Sequence, residues 1–533
     1  MNPNGHRAAL GVVTEGSYTG GLSVRLLEPT VEDLQVGSFV VLEGERNRYF
    51  SLISDLQLKV TDPAVVADPP SGSPFVRRAL HGVHTYAAAQ VRPSLVLEDF
   101  ADLTGDPQTR AVRTIPAHFA RMLQAEAQDF DLVFGKESNE RFALGSPLAM
   151  PDTSIPVDLR RLIERPSGIF GQTGAGKSVL ARLMLFGLIK SQLAATLIFD
   201  MHDEYADGDP HKPDVPGLRR FFPAADVIVY QLDPSRSNGQ HIRIGMNHIR
   251  PEDIELLRDE LDLTDTFATT TYALFREFGD RWLSSLLKMD AATMNEFAAT
   301  ANAHPSAVEA LQRKLRYLET AGYTVEFQQA DPVGDIIQHL ERGKHVIVQF
   351  GPRFKLRDYL LVANLLTRRI HATYTERSES SVGVSSRKPL VVVLEEAHKF
   401  LNPTAARQSI FGTIAREMRK YNVTLLVVDQ RPSGIDSEIL SQLGTRITGL
   451  LTDGADIEAV LSGTGERATL RALLASLEPS RQCLIVGHAI PMPMVLQTRE
   501  YSLDLADELS ERDAKTDLAV GVLRSSRTRA RAD

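Results

Sequence analysis

Two patterns of hydrophobic and polar positions divide the chain. Up to about residue 100 the apolar positions come in short runs, 10–13, 22–26, 38–42, 49–53 and 56–60. Turn-forming pieces such as Thr19-Gly20-Gly21 and Gly44-Glu45 separate them. Many short strands at close spacing predict a small barrel or sandwich. Residues 76–91 and 94–97 continue the strand-like material, with the proline- and serine-rich 69–74 as a surface loop. A short helix is expected over 116–128, and 139–156 reads as an extended lead into the next region. There the pattern changes. A short, poor strand at 167–170 and buried, largely apolar runs at 195–200, 226–232, 345–350, 390–394 and 424–428 alternate with helical stretches, the first over 179–193 with Leu180, Leu183, Met184 and Leu188 on its apolar positions. Unbroken apolar strands between helices predict a parallel sheet covered on both faces. Residues 251–342 carry almost no strand signal. Their amphipathic spacing, with Val308, Leu311, Leu315 and Leu318 read as core, predicts an inserted helical subdomain. Runs at 482–486 and 494–497 predict terminal strands. The expected organisation is therefore a barrel over 1–135, an α/β core over 136–250 and 343–505, a helical insert over 251–342, and a tail over 506–533.

Composition changes this picture little. The 533 residues are 43% hydrophobic and 24% charged, ordinary values for a globular protein. A net charge of −9 argues against wholesale coating of nucleic acid, although a basic channel inside an acidic shell is compatible with it. A single cysteine, Cys483 in an apolar run, excludes a disulfide within the chain and reads as a core thiol. No apolar run approaches the roughly 20 residues that a membrane helix needs. The first residues lack the apolar centre of a signal peptide, so no membrane association and a cytoplasmic location are expected. The arginine run 524–531 is either a solvated tail or a contact for nucleic acid or a partner.

The candidate chemistry starts at Gly171-Gln172-Thr173-Gly174-Ala175-Gly176-Lys177-Ser178, which reads G-x-x-x-x-G-K-S, between a short strand and a helix. This is the phosphate-binding loop of nucleoside triphosphatases. Glycines let the backbone turn tightly and aim its N–H groups at the phosphates. Lys177 can reach the β- and γ-phosphates, and the Ser178 hydroxyl can sit on Mg²⁺. The helix opening at Val179 points its positive end at the same anion, so 171–179 form the candidate ATP-binding run.

A phosphate loop needs a carboxylate on a neighbouring strand. The run 389–398 supplies an apolar strand ending in Glu395 and Glu396. Glu395 would orient Mg²⁺ through water, and Glu396 would polarise the attacking water in line with the γ-phosphate. Several strands and the helical insert separate these acids from the loop, a spacing too wide for small GTPases or simple nucleotide kinases. The next strand ends in Asp429-Gln430-Arg431, where Gln430 can orient water or sense the γ-phosphate, or be an ordinary polar strand end. Just upstream, Arg416 and Arg419 lie in a helix end rich in positive charge. They are either dipole complements or an arginine finger reaching a neighbouring subunit's ATP.

The set G-Q-T-G-A-G-K-S, D-M-H-D-E-Y at 200–205, V-V-V-L-E-E-A-H and A-R-E-M-R-K-Y…D-Q-R-P-S resembles the HerA branch of the HerA/FtsK ATPases over roughly residues 140–500. The strand-rich start is similar to the small barrel that precedes the core in those proteins. The resemblance implies a RecA-like P-loop ATPase core with a helical insertion behind an N-terminal β-barrel. It also implies a homo-hexameric ring around duplex DNA with ATP between subunits, and a NurA-type nuclease or another effector protein as partner. By the same resemblance, Lys177 and Ser178 hold phosphate and Mg²⁺, Glu395 is the metal-coordinating acid, Glu396 the base and Gln430 the strand-end glutamine. Arg416 and Arg419 fall in the segment that supplies the trans arginine, Asp200 and Glu204 lie near the active site with Asp200 towards the metal, and Arg165 lies near the nucleotide. Glu395 departs from the pattern, since many relatives carry Asp there. The expected function is ATP-driven translocation or unwinding of duplex DNA in end resection and repair. The alternatives are an ATPase that controls an effector in antiviral defence, and a conjugation or secretion motor, which the lack of a membrane segment disfavours. Arg313, Lys314 and Arg316 of the insert are candidates for a DNA-lined channel or simply a solvated helix face.

Overall fold

The computed structural model describes residues 7–27, 31–67, 69, 80, 84–97, 109–208, 215–329, 333–379, 388–417, 421–465, 467–479 and 481–509. The expected loop over 69–74 beyond its first residue, the start of the 76–91 run and the arginine-rich tail lie outside them. The chain forms two compact units, Met1–Asp158 with Thr464–Arg499, and Leu159–Gly463 with Glu500–Asp533.

The first unit opens with β1 (Ala9–Ser17), β2 (Gly21–Leu26), β3 (Phe39–Glu43), β4 (Arg48–Val60), β5 (Thr85–Leu97), β6 (Thr109–Ala111) and β7 (Arg121–Gln124). They pair in the order β2-β1-β7-β3-β4-β5-β6, and β2 pairs again with β5, setting Leu22 opposite Val91. That second pairing closes six strands into a barrel and leaves β6 appended to β5. Closure removes the exposed strand edges that a small sheet would otherwise present. Val13, Val24, Val40, Leu42, Ile53, Val91 and Met122 belong to the cluster that fills it. Gly11 is required where β1 crosses β2, because a Cβ there would stand 2.6 Å from the Arg25 carbonyl oxygen.

The helix expected over 116–128 is replaced by β7 and a helix at Ala127–Phe134. The stretch has apolar residues at helical spacing, but Arg121–Gln124 fills the slot between β1 and β3 and pairs with both. Tertiary pairing overrides local preference here. In the helix that follows, Phe130 meets Phe39 and Phe50 edge-on at 5.6 and 5.2 Å. The chain then forms the antiparallel pair β8 (Arg141–Pro147) and β9 (Ile155–Asp158).

The second unit is a parallel sheet of β10 (Ser167–Phe170), β11 (Ala195–Asp200), β12 (Val227–Gln231), β13 (Gln240–His241), β16 (His345–Gln349), β17 (Leu390–Glu395), β18 (Val423–Asp429) and β19 (Thr445–Thr448). Their order is β13-β12-β16-β11-β17-β18-β10-β19. Every residue of β10, β11, β17 and β18 is buried, which is why the last three read as largely apolar runs. The helix Lys177–Ser191 follows β10 and is buried along most of its length.

Between β12 and β16, the short parallel pair β14 (Ile244–Gly245) and β15 (Thr324–Val325) brackets a helical stretch. Its helices are Pro251–Glu255, Asp265–Phe278, Trp282–Lys288, Ala291–Ala301 and Pro305–Leu315. Val308, Leu311, Leu315 and Leu318 are buried there. The fully buried Trp282 donates its indole N–H to the Ile249 carbonyl at 2.9 Å. Finally β20 (Gln482–Gly487) and β21 (Met494–Thr498) return to the first unit, where β20-β21-β8-β9 pair antiparallel. Cys483 is buried within β20.

Candidate nucleotide site

The site is built on the C-terminal ends of the parallel strands, the usual place for ligands in open α/β sheets. β10 runs between β18 and β19, so the loop after it is held from two sides. The Gly171 N–H donates to the Asp429 carbonyl at 3.3 Å and the Gln172 N–H to the Leu450 carbonyl at 3.0 Å. The Thr452 hydroxyl donates to the Gln172 side chain at 2.9 Å. Gly174 and Gly176 have φ of 82° and 79°, a region in which side-chain-bearing residues are strained, so the loop needs glycine there. Lys177 opens the following helix, whose first N–H groups have no intrahelical partners and face the concavity of the loop.

Glu395 and Glu396 end β17 and begin the turn beyond it. The Glu396 carboxylate lies 3.7 Å from the Lys177 ammonium and accepts from the Gln430 amide at 3.2 Å. Thr173 donates its hydroxyl to the oxygen of that same amide at 2.8 Å, which turns the Gln430 NH₂ towards Glu396. The loop, Glu396 and Gln430 are thus one connected set. Glu396 itself has φ of 48°, a left-handed conformation costing a non-glycine residue about 1–3 kcal/mol unless its surroundings impose it.

Glu395 is buried at 6% exposure. One of its oxygens accepts the Tyr205 hydroxyl at 2.9 Å; the other, Oε2, is buried without a hydrogen-bond partner among the described residues. Burial raises its pKa first, and the charges of Glu204 and Glu396 add to the rise against the Tyr205 hydrogen bond and Lys177. Asp200, at the end of β11, is likewise raised by burial and then by Glu395. Its oxygens accept the Glu204 and Tyr205 N–H groups at 2.9 and 3.0 Å, so its carboxylate folds the D-M-H-D-E-Y turn back on itself. Arg182, buried on the loop helix, donates to the Glu204 carbonyl at 2.9 Å and lies 3.4 Å from its carboxylate. A buried carboxylate with one unmatched oxygen, held above the usual range by its surroundings, is relieved by a divalent cation. The Ser178 hydroxyl and the Glu395 carboxylate are hard oxygen donors of the kind Mg²⁺ takes. The residues present fit that ion, with Asp200 acting behind them.

Asp429, fully buried at the end of β18, accepts the His398 N–H at 2.6 Å, the Arg431 N–H at 2.7 Å and the His398 ring Nδ1–H at 3.0 Å. The same Nδ1 lies 3.7 Å from the Glu396 carboxylate. Tyr205, His398 and Asp429 have no sequence signal of their own beyond their place inside the motifs. Strand adjacency brings Tyr205 and Asp429 to the acids, and the turn after β17 brings His398 to Asp429.

Other expected residues stand elsewhere. Arg416 donates to the Ala406 carbonyl at 3.3 Å and approaches Glu438 at 3.4 Å; neither partner belongs to the phosphate loop. Arg419 lies outside the described residues. Arg165 precedes β10, at the end of that strand opposite the loop, with its side chain against Gly444. In the insert, Lys314 binds the Asp262 carbonyl and Arg316 the Gln312 side chain at 3.0 Å.

A phosphate loop on β10, an acid pair on a nearby parallel strand and a glutamine on the strand between them define a P-loop ATPase. Residues 142–370 match the family model for the central domain of the helicase HerA. The chain is 25% identical over 347 residues to the DNA double-strand break repair helicase HerA of Sulfolobus acidocaldarius, an alignment covering 64% of this chain and 66% of that protein. It is 24% identical over 477 residues, 87% of each chain, to the protein of the same description from Saccharolobus solfataricus. Among solved structures, VirB4 of Thermoanaerobacter pseudethanolicus aligns at 14% identity and a TM-score of 0.46, covering 70% of this chain and all of that one. The match over the central domain and these relatives support a HerA-type P-loop ATPase. Among the described residues, no helix is long and apolar enough to cross a membrane.

Proposed function

We propose that this protein hydrolyses ATP to drive translocation along, or unwinding of, duplex DNA as a homo-hexameric ring. The observation that carries the reading is the convergence of Lys177 and Gln430, the latter held by Thr173, on the Glu396 carboxylate at the mouth of the phosphate loop. The relatives are DNA double-strand break repair helicases, which supports DNA as the track.

In this reading backbone N–H groups of the loop beyond Gln172 and the helix N-terminus bind the phosphates of ATP, and Lys177 leaves Glu396 to meet the β- and γ-oxygens. Glu396, freed of its cation and steadied by Gln430, takes a proton from the attacking water. Ser178 and Glu395 would hold Mg²⁺, which supplies charge neutralisation on the phosphate oxygens. Arg416, and Arg419 with it, would serve the ATP of a neighbouring subunit, because a guanidinium tied to Ala406 and Glu438 serves no phosphate in its own chain. The barrel would dock a NurA-like nuclease or another effector at one face of the ring.

Steady-state ATP hydrolysis with and without linear duplex DNA, repeated with Lys177→Ala, tests this. Stimulation by duplex that the variant loses is the expected result. Hydrolysis indifferent to DNA would remove the DNA motor and leave an ATPase that controls an effector.

A further inference from the structure

We infer that His398, clamped by Asp429, is a positioning residue for the catalytic base Glu396. The inference rests on the proposed ATP hydrolysis and deepens it.

β17 and β18 are neighbours in parallel register, Glu395 opposite Val428, so the turn leaving β17 passes directly over the end of β18. Glu396 enters that turn with φ of 48°, and nothing in its own side chain favours the conformation. Something must impose it. Two residues on, the His398 backbone N–H is held by Asp429 at 2.6 Å, and its ring Nδ1 lies 3.0 Å from each Asp429 oxygen. A carboxylate oxygen accepts, so Nδ1 carries the proton and the ring is fixed in one tautomer and one orientation. Asp429 is fully buried, with a third bond from the Arg431 N–H at 2.7 Å. The clamp is therefore anchored in the sheet. His398 then lies 3.7 Å from Glu396 Oε2, too long for a hydrogen bond but close enough to bound the carboxylate on that side. Gln430, the next residue after Asp429, holds the same carboxylate at 3.2 Å. Consecutive residues at the end of one strand thus confine the base, Gln430 directly and Asp429 through His398. Among the described residues, the hydrogen bonds and ion pairs of His398 reach no residue of the phosphate loop, so its effect belongs to turnover and not to ATP affinity.

The test measures kcat and KM for ATP, nucleotide affinity and the melting temperature in full-length wild type, His398→Asn, His398→Gln and His398→Leu, with Lys177→Ala and Glu396→Gln as references. Asn places an amide N–H near the position of Nδ1, whereas Gln places it near that of Nε2. The expected result is kcat within about threefold of wild type for Asn, and about 10–100-fold lower for Gln and Leu, the scale of a displaced catalytic base. KM and nucleotide affinity should stay within about twofold in all three. Adding His398→Leu to Glu396→Gln should bring no further loss, since residues acting as a unit are non-additive. Wild-type kcat in the Leu variant, a loss confined to KM, equal Asn and Gln variants, or additive losses in the double variant would each overturn the inference. If His398→Leu does not fold, the contrast between Asn and Gln decides. Absence of Lys177-dependent turnover in the wild type would instead overturn the ATPase reading beneath it.

Discussion

The two edges of the parallel sheet both bury ionisable groups, yet only one edge is a site. At the C-terminal edge the adjacent strands β11, β17 and β18 end in Asp200, Glu395 and Asp429, all buried. At the N-terminal edge β16 begins with His345, fully buried, its Nδ1 3.1 Å from the Thr196 hydroxyl. Asp200 and Asp429 are met by backbone N–H donors and stabilise turns. His345 leaves Nε2 without a partner among the described residues, but burial pushes its pKa down to about 4, so it stays neutral and leaves no buried charge. Glu395 is different. It keeps an unmatched carboxylate oxygen next to a phosphate loop and a lysine. Burial by itself does not mark function; unmet charge beside a prepared anion cradle does.

The largest effect should come from Glu396→Gln. It should lower kcat about 10²–10⁴-fold, the scale of a lost general base, while ATP binding measured by a fluorescent analogue persists. Undiminished turnover would dissolve the contrast by leaving the C-terminal edge as inert as the other.

The second effect concerns His345. Its folded pKa is depressed below the ordinary 6.5, so the unfolded chain binds the extra proton. Stability is therefore full above about pH 6.5 and falls as the pH drops towards 4, by about 3 kcal/mol at 1.36 kcal/mol per unit. His345→Leu should flatten that part of the stability–pH curve in denaturant melts and leave ATP turnover per folded molecule unchanged. Parallel curves for the two proteins would show that this edge does not titrate as its burial demands.

The smallest effect is Gly174→Ala. A Cβ at Gly174 meets nothing within 4 Å, so the cost comes from φ of 82° alone. A left-handed alanine costs about 1–2 kcal/mol; if the exposed loop relaxes to relieve it in the free protein, the cost falls on nucleotide binding, which predicts roughly tenfold weaker ATP binding with a melting temperature close to wild type. Unchanged ATP affinity would mean that the loop is not held in this conformation by its nucleotide.

Much of this edge is legible along the chain. Gly171–Ser178 is contiguous, and its glycines announce the left-handed turns that Gly174 and Gly176 adopt. Glu395 and Glu396 close an unbroken apolar run, and Gln430 closes the next. Glu396 shows where legibility stops: its positive φ is imposed by the Asp429 clamp on His398, and no glycine or asparagine marks it. The Tyr205 bond to Glu395 spans 190 residues and the Thr173 bond to Gln430 spans 257. Such contacts depend on which strands become neighbours, which periodicity does not report.

The barrel follows the same division. Alternating short strands announced a small β-fold, but Arg121–Gln124 reads locally as helix and becomes β7 only because β1 and β3 leave a slot between them. Closure through β2 and β5 is likewise a long-range event. The sequence by itself determined the local chemistry: a glycine-rich phosphate loop, buried parallel strands, two acids at a strand end. The tertiary structure alone decided the strand order β11-β17-β18-β10, and with it which of several buried acids is left with an unanswered charge. Backbone conformation and apolar period are properties of neighbours in the chain, whereas hydrogen-bond satisfaction is a property of neighbours in space.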